Sequence, residues 1–275
     1  MSFFPSLANF EPTRQTLHWY SQAVGVVPRV HGIAHPKWWH ISLKLRPDGL
    51  ITDNIPLPDG GVLALRLDFH QHQLVVANSS GETKTADLQD GLTGSEMGEW
   101  VITAVSQFGL QGKYPHEKFS NDAPRHYDPE LAQRYFGVLT NVARTFETHR
   151  ASLEGPVSPV QVWPHGFDIA FEWFGTRVER GEEHGEVQEF PSQLNLGFYP
   201  GSEGTAPYFY SNPWPFEAEL LDKPLPPGAS WHTAGWQGAE LPYSEVVGQP
   251  DAEARLLDFA KAVYKLAAPT LMVLG

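Results

Sequence analysis

Residues 62–81 read VLALRLDFHQHQLVVANSSG. Leu63, Leu65, Leu67 and Phe69 fall on one face of an extended chain, and Arg66 and Asp68 on the other. A period of two marks a half-buried strand. His70-Gln71 then turns the chain into Leu74–Ala77, and Ser79-Ser80-Gly81 supplies the next turn. The stretch predicts an antiparallel hairpin. Upstream, Trp38–Leu45 (WWHISLKL) alternates too, which predicts a strand with Trp38, His40, Ser42 and Lys44 on its polar face.

Helices frame this block. Leu17, Tyr20 and Val24 recur at helical spacing, so a helix is expected over Thr13–Val24, opened by Pro12 and stopped by Gly25. Its opposite stripe carries Arg14, His18 and Gln22. A second helix is expected over Ser95–Phe108, capped by Ser95. Lys113–His126 reads as a loop. Asp128-Pro129 then opens a long helix to about Leu153, with Leu131, Tyr135, Val138, Leu139, Val142 and Phe146 as its buried stripe.

Strands return at Val160–Val162, Phe167–Phe174, Gln193–Phe198 and Tyr208–Tyr210, with Arg177–Glu189 as an exposed hairpin tip. Leu221–Tyr243 reads as an ordered covering loop, and Asp251–Leu266 as a closing helix. Strands neighbour strands, and no strand–helix–strand unit repeats. The order predicts an α+β fold, mainly antiparallel sheet with a few packed helices. No stretch resembles a linker, so residues 1–275 are expected to form one compact domain.

Composition narrows the function. The 275 residues contain no cysteine, which excludes disulfides, thiolate metal sites and cysteine nucleophiles. The formal charge of −13 repels phosphate backbones, so nucleic acid is a poor partner. No window is apolar for long enough to span a membrane. The N-terminus lacks the pattern of a secretory signal, so the expected setting is cytoplasmic. There is no phosphate loop, no G-x-G-x-x-G after a strand, no H-E-x-x-H and no G-x-S-x-G.

What remains is a set of imidazoles and carboxylates on or beside strands. His40, His72 and His165, with Asp68 and Asp168, are the candidate catalytic residues. Neutral imidazole and carboxylate bind divalent cations where thiolate is missing, and imidazole titrates near neutrality. In a regular strand His165 and Asp168 would point to opposite faces. A break at Pro164 or Gly166 is needed to bring them together. Arg14, His18 and Gln22 could close a polar pocket, with Arg14 set for an anionic group. Trp38 is a further candidate for binding, and Tyr208, Tyr210 and Trp214 could form an aromatic wall, although Tyr208 and Tyr210 must point opposite to Phe209.

The motifs together resemble a known family. They are Thr16-Leu17-His18 with Gln22; Trp38-Trp39-His40; Asp68-Phe69 with His72 and Leu74; and Trp163-Pro164-His165 with Phe167 and Asp168. Gly197-Phe198 with Pro200-Gly201, then Pro207 to Tyr210 with Pro213 to Pro215, complete the set. The pattern resembles domain of unknown function 5996, an uncharacterised and mostly bacterial family. The resemblance implies a bacterial protein of that type and carries no catalytic residue with it.

Three readings stay open. The first is an enzyme of hydrolase or lyase type, metal-assisted or not, acting on a small polar molecule. The second is a non-catalytic small-molecule-binding module using the same residues. The third is a structural protein in which each His and Asp is a satisfied core group. No cofactor, metal identity or oligomeric state follows from the residues.

Overall fold

The computed structural model describes residues 2–183 and 186–273. It contains four α-helices and two antiparallel sheets, a mixed α+β fold. The chain gathers into two compact units. One comprises residues 7–140 and 161–168; the other comprises the chain up to residue 6, residues 141–160 and the chain from 169 onward.

In the first unit, helix α1 spans Glu11–His31. It outruns the expected stop at Gly25 by two turns. Gly25 serves packing rather than termination: a Cβ there would lie 3.1 Å from Pro164. The chain leaves the helix at Gly32, whose N–H donates to the carbonyl of Pro28 at 2.8 Å. Leu17, Tyr20, Val24 and Val27 form its buried stripe.

The expected strand over Trp38–Leu45 is instead a 3₁₀ turn, Trp39–Ile41, followed by strand β1, Lys44–Arg46. Trp38 adopts a left-handed backbone (φ 58°), which breaks the extended chain. The Ile41 N–H then donates to the Trp38 carbonyl at 3.1 Å. The Ser42 hydroxyl donates to the Trp39 carbonyl at 2.7 Å and fixes the turn. His40 is therefore buried in a turn and does not lie on the polar face of a strand.

The hairpin that opened the argument forms as read. Strands β2 (Gly49–Ile51), β3 (Ile55–Pro56), β4 (Val62–Asp68), β5 (Gln73–Asn78) and β6 (Thr83–Asp87) follow in order. The sheet runs β1-β2-β4-β5-β6, with β3 beside β4. Leu65 faces Val76 and Leu67 faces Leu74 across β4 and β5. The alternating leucines and Phe69 are wholly buried.

Helix α2 is Gly94–Ser106. Its cap is Thr93 rather than Ser95, because Glu96 three residues on completes a capping box. Thr93 Oγ1 accepts the Glu96 N–H at 3.0 Å, and the Glu96 carboxylate accepts the Thr93 N–H at 2.8 Å. Ser95 instead accepts the N–H of Asn121. Gly98 of α2 lies under Phe119, and a Cβ there would come 2.0 Å from the ring. Alanine would gain up to ~1 kcal/mol of helix propensity but overpack a site with no spare room. Gly98→Ala is expected to lower stability by about 1–2 kcal/mol in urea unfolding.

Helix α3 spans Pro129–Arg150 and is capped as expected, with Asp128 Oδ1 accepting the N–H groups of Glu130 and Leu131. It runs from the first unit into the second at residue 141. Strand β7 (Gln161–Trp163) belongs to the first unit, where Val162 exchanges 2.8 Å backbone hydrogen bonds with Leu43.

The second unit holds β8 (from Asp168 to Glu183), β9 (Glu186–Tyr199), β10 (Tyr208–Ser211), β11 (Pro213–Trp214), β12 (Ser230–His232) and β13 (Gly238–Pro242). They run β12-β13-β10-β9-β8, with β11 beside β9. Strands occupy much of the expected tip at Arg177–Glu189, and residues 184–185 lie outside the described residues. The covering loop at Leu221–Tyr243 supplies β12 and β13, because β13 pairs with β10 and β12 pairs with β13. Helix α4 is Ala252–Ala267.

The core of this unit is aromatic. Phe209 packs on Phe198 (centroids 4.9 Å), Phe4 (5.7 Å) and Tyr243 (6.1 Å). Elsewhere, His149 of α3 is 4 % exposed and lies between Phe171 and Tyr264. Its Nδ1 has no hydrogen-bond partner among the described residues. The adjoining cavity, lined also by Asn195 and Ser211, encloses about 10 Å³.

Candidate functional site

One face of α1 lines a polar recess of the first unit. Gln22, Gly25, Val26 and Arg29 follow each other at helical steps along that face. Ile41 from the 3₁₀ turn, Lys118 from a second 3₁₀ turn at His116–Lys118, and Pro164 and His165 after β7 complete the walls. The cleft encloses about 30 Å³ within some 330 Å³ of recess open to solvent. That is room for about two water molecules, and so for a single charged group rather than a whole metabolite.

The wall after β7 has a specific local cause. Phe167 is left-handed (φ 56°), and its N–H donates to the Trp163 carbonyl at 2.7 Å. A Cβ on Gly166 would lie 2.6 Å from Asp168 Oδ1, so only glycine leaves the Asp168 carboxylate where it is. The break anticipated at Pro164 and Gly166 is therefore present. It turns the His165 side chain to solvent at the cleft edge.

His18 braces this turn. Its ring stacks on Phe167 (centroids 6.0 Å), and Nε2 lies 3.0 Å from the His165 carbonyl oxygen. That oxygen can only accept, so Nε2 carries the hydrogen. Burial pushes the His18 pKa below its ordinary value, which keeps the ring neutral. The Gln22 amide lies 3.2 Å from the same nitrogen. An Nε2–H cannot accept from an amide N–H, so the amide oxygen belongs on that side and the NH₂ on the other.

The cleft is cationic in an acidic chain. Arg29 and Lys118 line it and no carboxylate does. Among the described residues neither forms an ion pair. The Arg29 guanidinium carbon lies 5.3 Å from the centroid of the Trp38 ring.

The remaining expected residues are engaged in other ways. His40 Nδ1 accepts the His35 N–H at 3.2 Å, and burial, then the Arg29 charge, hold its pKa down. Asp68 caps the β4–β5 turn, accepting the His70 and Gln71 N–H groups at 2.9 Å, and pairs with Arg66. His72 is left-handed (φ 52°), with Nδ1 2.9 Å from the Tyr127 hydroxyl. Burial lowers its pKa against the opposing pull of Asp68. Arg14 is buried and makes a two-pronged ion pair with Glu11 at 2.6 and 2.8 Å. Tyr208, Tyr210 and Trp214 belong to the second unit. There Tyr208 and Tyr210 do face away from the buried Phe209, and Tyr208 stacks on Trp236.

The structure thus brings together Gln22, His18 and His165 at one turn, and Asp68 and His72 at another. Among the described residues no three His, Asp or Glu side chains stand close enough to hold a metal ion. Arg29 and Lys118 escaped the sequence reading. The stripe of Arg14, His18 and Gln22 carried on for two more turns would have reached Arg29, had the helix not been ended at Gly25. Nothing local in the sequence marks Lys118.

The family model that matches this sequence, over residues 4–272, is that of a family of unknown function (DUF5996). No curated protein and no solved structure matches it. No helix among the described residues is long and apolar enough to cross a membrane.

Proposed function

The chain belongs to the DUF5996 family, a family of unknown function, and we propose that this member binds a small molecule through an anionic group seated between Arg29 and Lys118. One observation carries the reading. Two cations that form no ion pair among the described residues line one cleft in a chain of net charge −13. Such a chain has acidic side chains to spare, so leaving both cations unpaired keeps a site open for an incoming anion. Gln22 supplies a neutral donor, and His165 stands at the rim as a second polar group. The cleft's small enclosed volume supports a carboxylate or phosphate as the seated part, with the rest of the ligand outside.

The site is shallow and both cations are exposed, so inorganic phosphate alone should bind weakly, with a Kd of about 1 mM at low salt. A charge-assisted hydrogen bond contributes about 1.5–3 kcal/mol, so Arg29→Gln is expected to weaken phosphate binding by roughly tenfold to a hundredfold. Titration of ¹⁵N-labelled protein would read this from shifts at Val26 and His165. Shifts that are absent, or unchanged in the variant, would remove the reading. A proton-transfer role for His165, with His40, His72, Asp68 and Asp168 as further candidates, remains a proposal beyond binding. A cytoplasmic setting goes with it, since a chain without cysteine draws no stability from an oxidising compartment.

A further inference from the structure

Trp38 combines a left-handed backbone with a largely exposed ring. Its backbone is left-handed at φ 58°, a conformation that costs a bulky residue of order 1–3 kcal/mol. Yet the residue is 52 % exposed, so about half of its surface stays in water. The neighbouring Trp39 is the packed member of the pair, stacked on His35 with centroids 4.3 Å apart. Backbone bonds on both sides keep the strained geometry. The Trp38 N–H donates to the His35 carbonyl at 2.8 Å, and its own carbonyl accepts from Ile41. Strain that the surroundings enforce, with a large aromatic ring presented to solvent as the result, points to use of that ring.

The ring is joined to the cleft by one side chain. Arg29 lines the cleft and sits over the indole, and His40 stacks beside it at 5.6 Å and 24°. An anion bonded to that guanidinium therefore stands within a few bond lengths of the indole. We infer that the ligand of this cleft is an anion carried on a flat ring, its charged group between Arg29 and Lys118 and its ring stacked on Trp38. This deepens the anion-binding reading and rests on it. Aliphatic anions would fill the cleft and leave the indole bare. Aromatic ones would use both, which is the only arrangement in which the left-handed turn at Trp38 contributes to binding.

Three probes separate the two ideas: inorganic phosphate, methyl phosphate and phenyl phosphate, each titrated into ¹⁵N-labelled protein with the tryptophan indole N–H signals followed. Phenyl phosphate is expected to bind about tenfold more tightly than methyl phosphate, the scale of one ring stacked on one aromatic side chain. It should also shift the Trp38 indole signal, identified by its loss in Trp38→Leu. In Trp38→Leu the ratio of phenyl to methyl phosphate affinity should fall to about one, whatever the loss of Arg29's ring contact does to inorganic phosphate. Trp38→Phe, which keeps a ring, should retain part of the phenyl advantage. Equal affinity for methyl and phenyl phosphate would overturn the stacking role and leave the anion cleft standing. Failure of all three probes to bind the wild-type protein would overturn both.

Discussion

Phe209→Ala should lower the free energy of unfolding by about 3–5 kcal/mol, the usual cost of emptying a ring-sized site in a close-packed core. Phe209 is wholly buried and touches Phe4, Phe198 and Tyr243 at once. Those partners come from distant parts of the chain, from an N-terminal segment, from β9 and from the residues after β13. They cannot all move in to fill the gap, so the cavity term should persist beside the lost transfer energy. Urea unfolding followed by circular dichroism measures it. A loss under about 1.5 kcal/mol would mean that the cluster repacks freely. Phe209→Leu, which keeps most of the volume, should fall well below the alanine variant.

The second large effect depends on pH. Burial, and then the nearby Lys261, push the His149 pKa from its usual 6.5 down to about 4. Above pH 6.5 the imidazole is neutral in both folded and unfolded chains, and it makes no pH-dependent contribution. Between about pH 6.5 and 4 the unfolded chain takes up the proton and the folded one does not. Stability is therefore lost as pH falls through that window, by about 3 kcal/mol in all, and the loss levels off below it. Other groups titrate there too, so the comparison is between wild type and His149→Gln. Unfolding midpoints at pH 7.5 and 4.5 should fall further in the wild type. Parallel falls in the two proteins would show that His149 is protonated at little cost.

Much of the architecture was legible because it rests on local periodicity. The alternation of Leu63 to Phe69 survives intact as β4, and Tyr208 and Tyr210 do face away from Phe209. The Asp128 cap is likewise a matter of neighbours. Errors arose where a distant contact outweighed local preference. Gly25 carries a stop signal, but Pro164 packs against it and the helix goes on to His31. WWHISLKL alternates like a strand, yet the left-handed Trp38 and the Ser42 hydroxyl fold it into a turn. His149 is the next position of the α3 stripe after Phe146, and polarity alone hid it from a search for apolar residues. The site was half visible for the same reason. Its turn at Pro164–Asp168 has a local signature, whereas Arg29 and Lys118 meet only in three dimensions.

The interleaving of the two units has a consequence for synthesis. The first unit lacks β7 until residue 163 has left the ribosome, and Leu43 has no strand to bridge before then. The wait is longer at the other end. Tyr243 donates its hydroxyl hydrogen bond to the carbonyl of Pro5, 238 positions earlier, and rings 4 and 209 meet in the same cluster. Residues 4 and 5 therefore complete these contacts only after residue 243 has emerged. A bulky insertion beside residues 4 and 5 would burden a late step of folding rather than an early one.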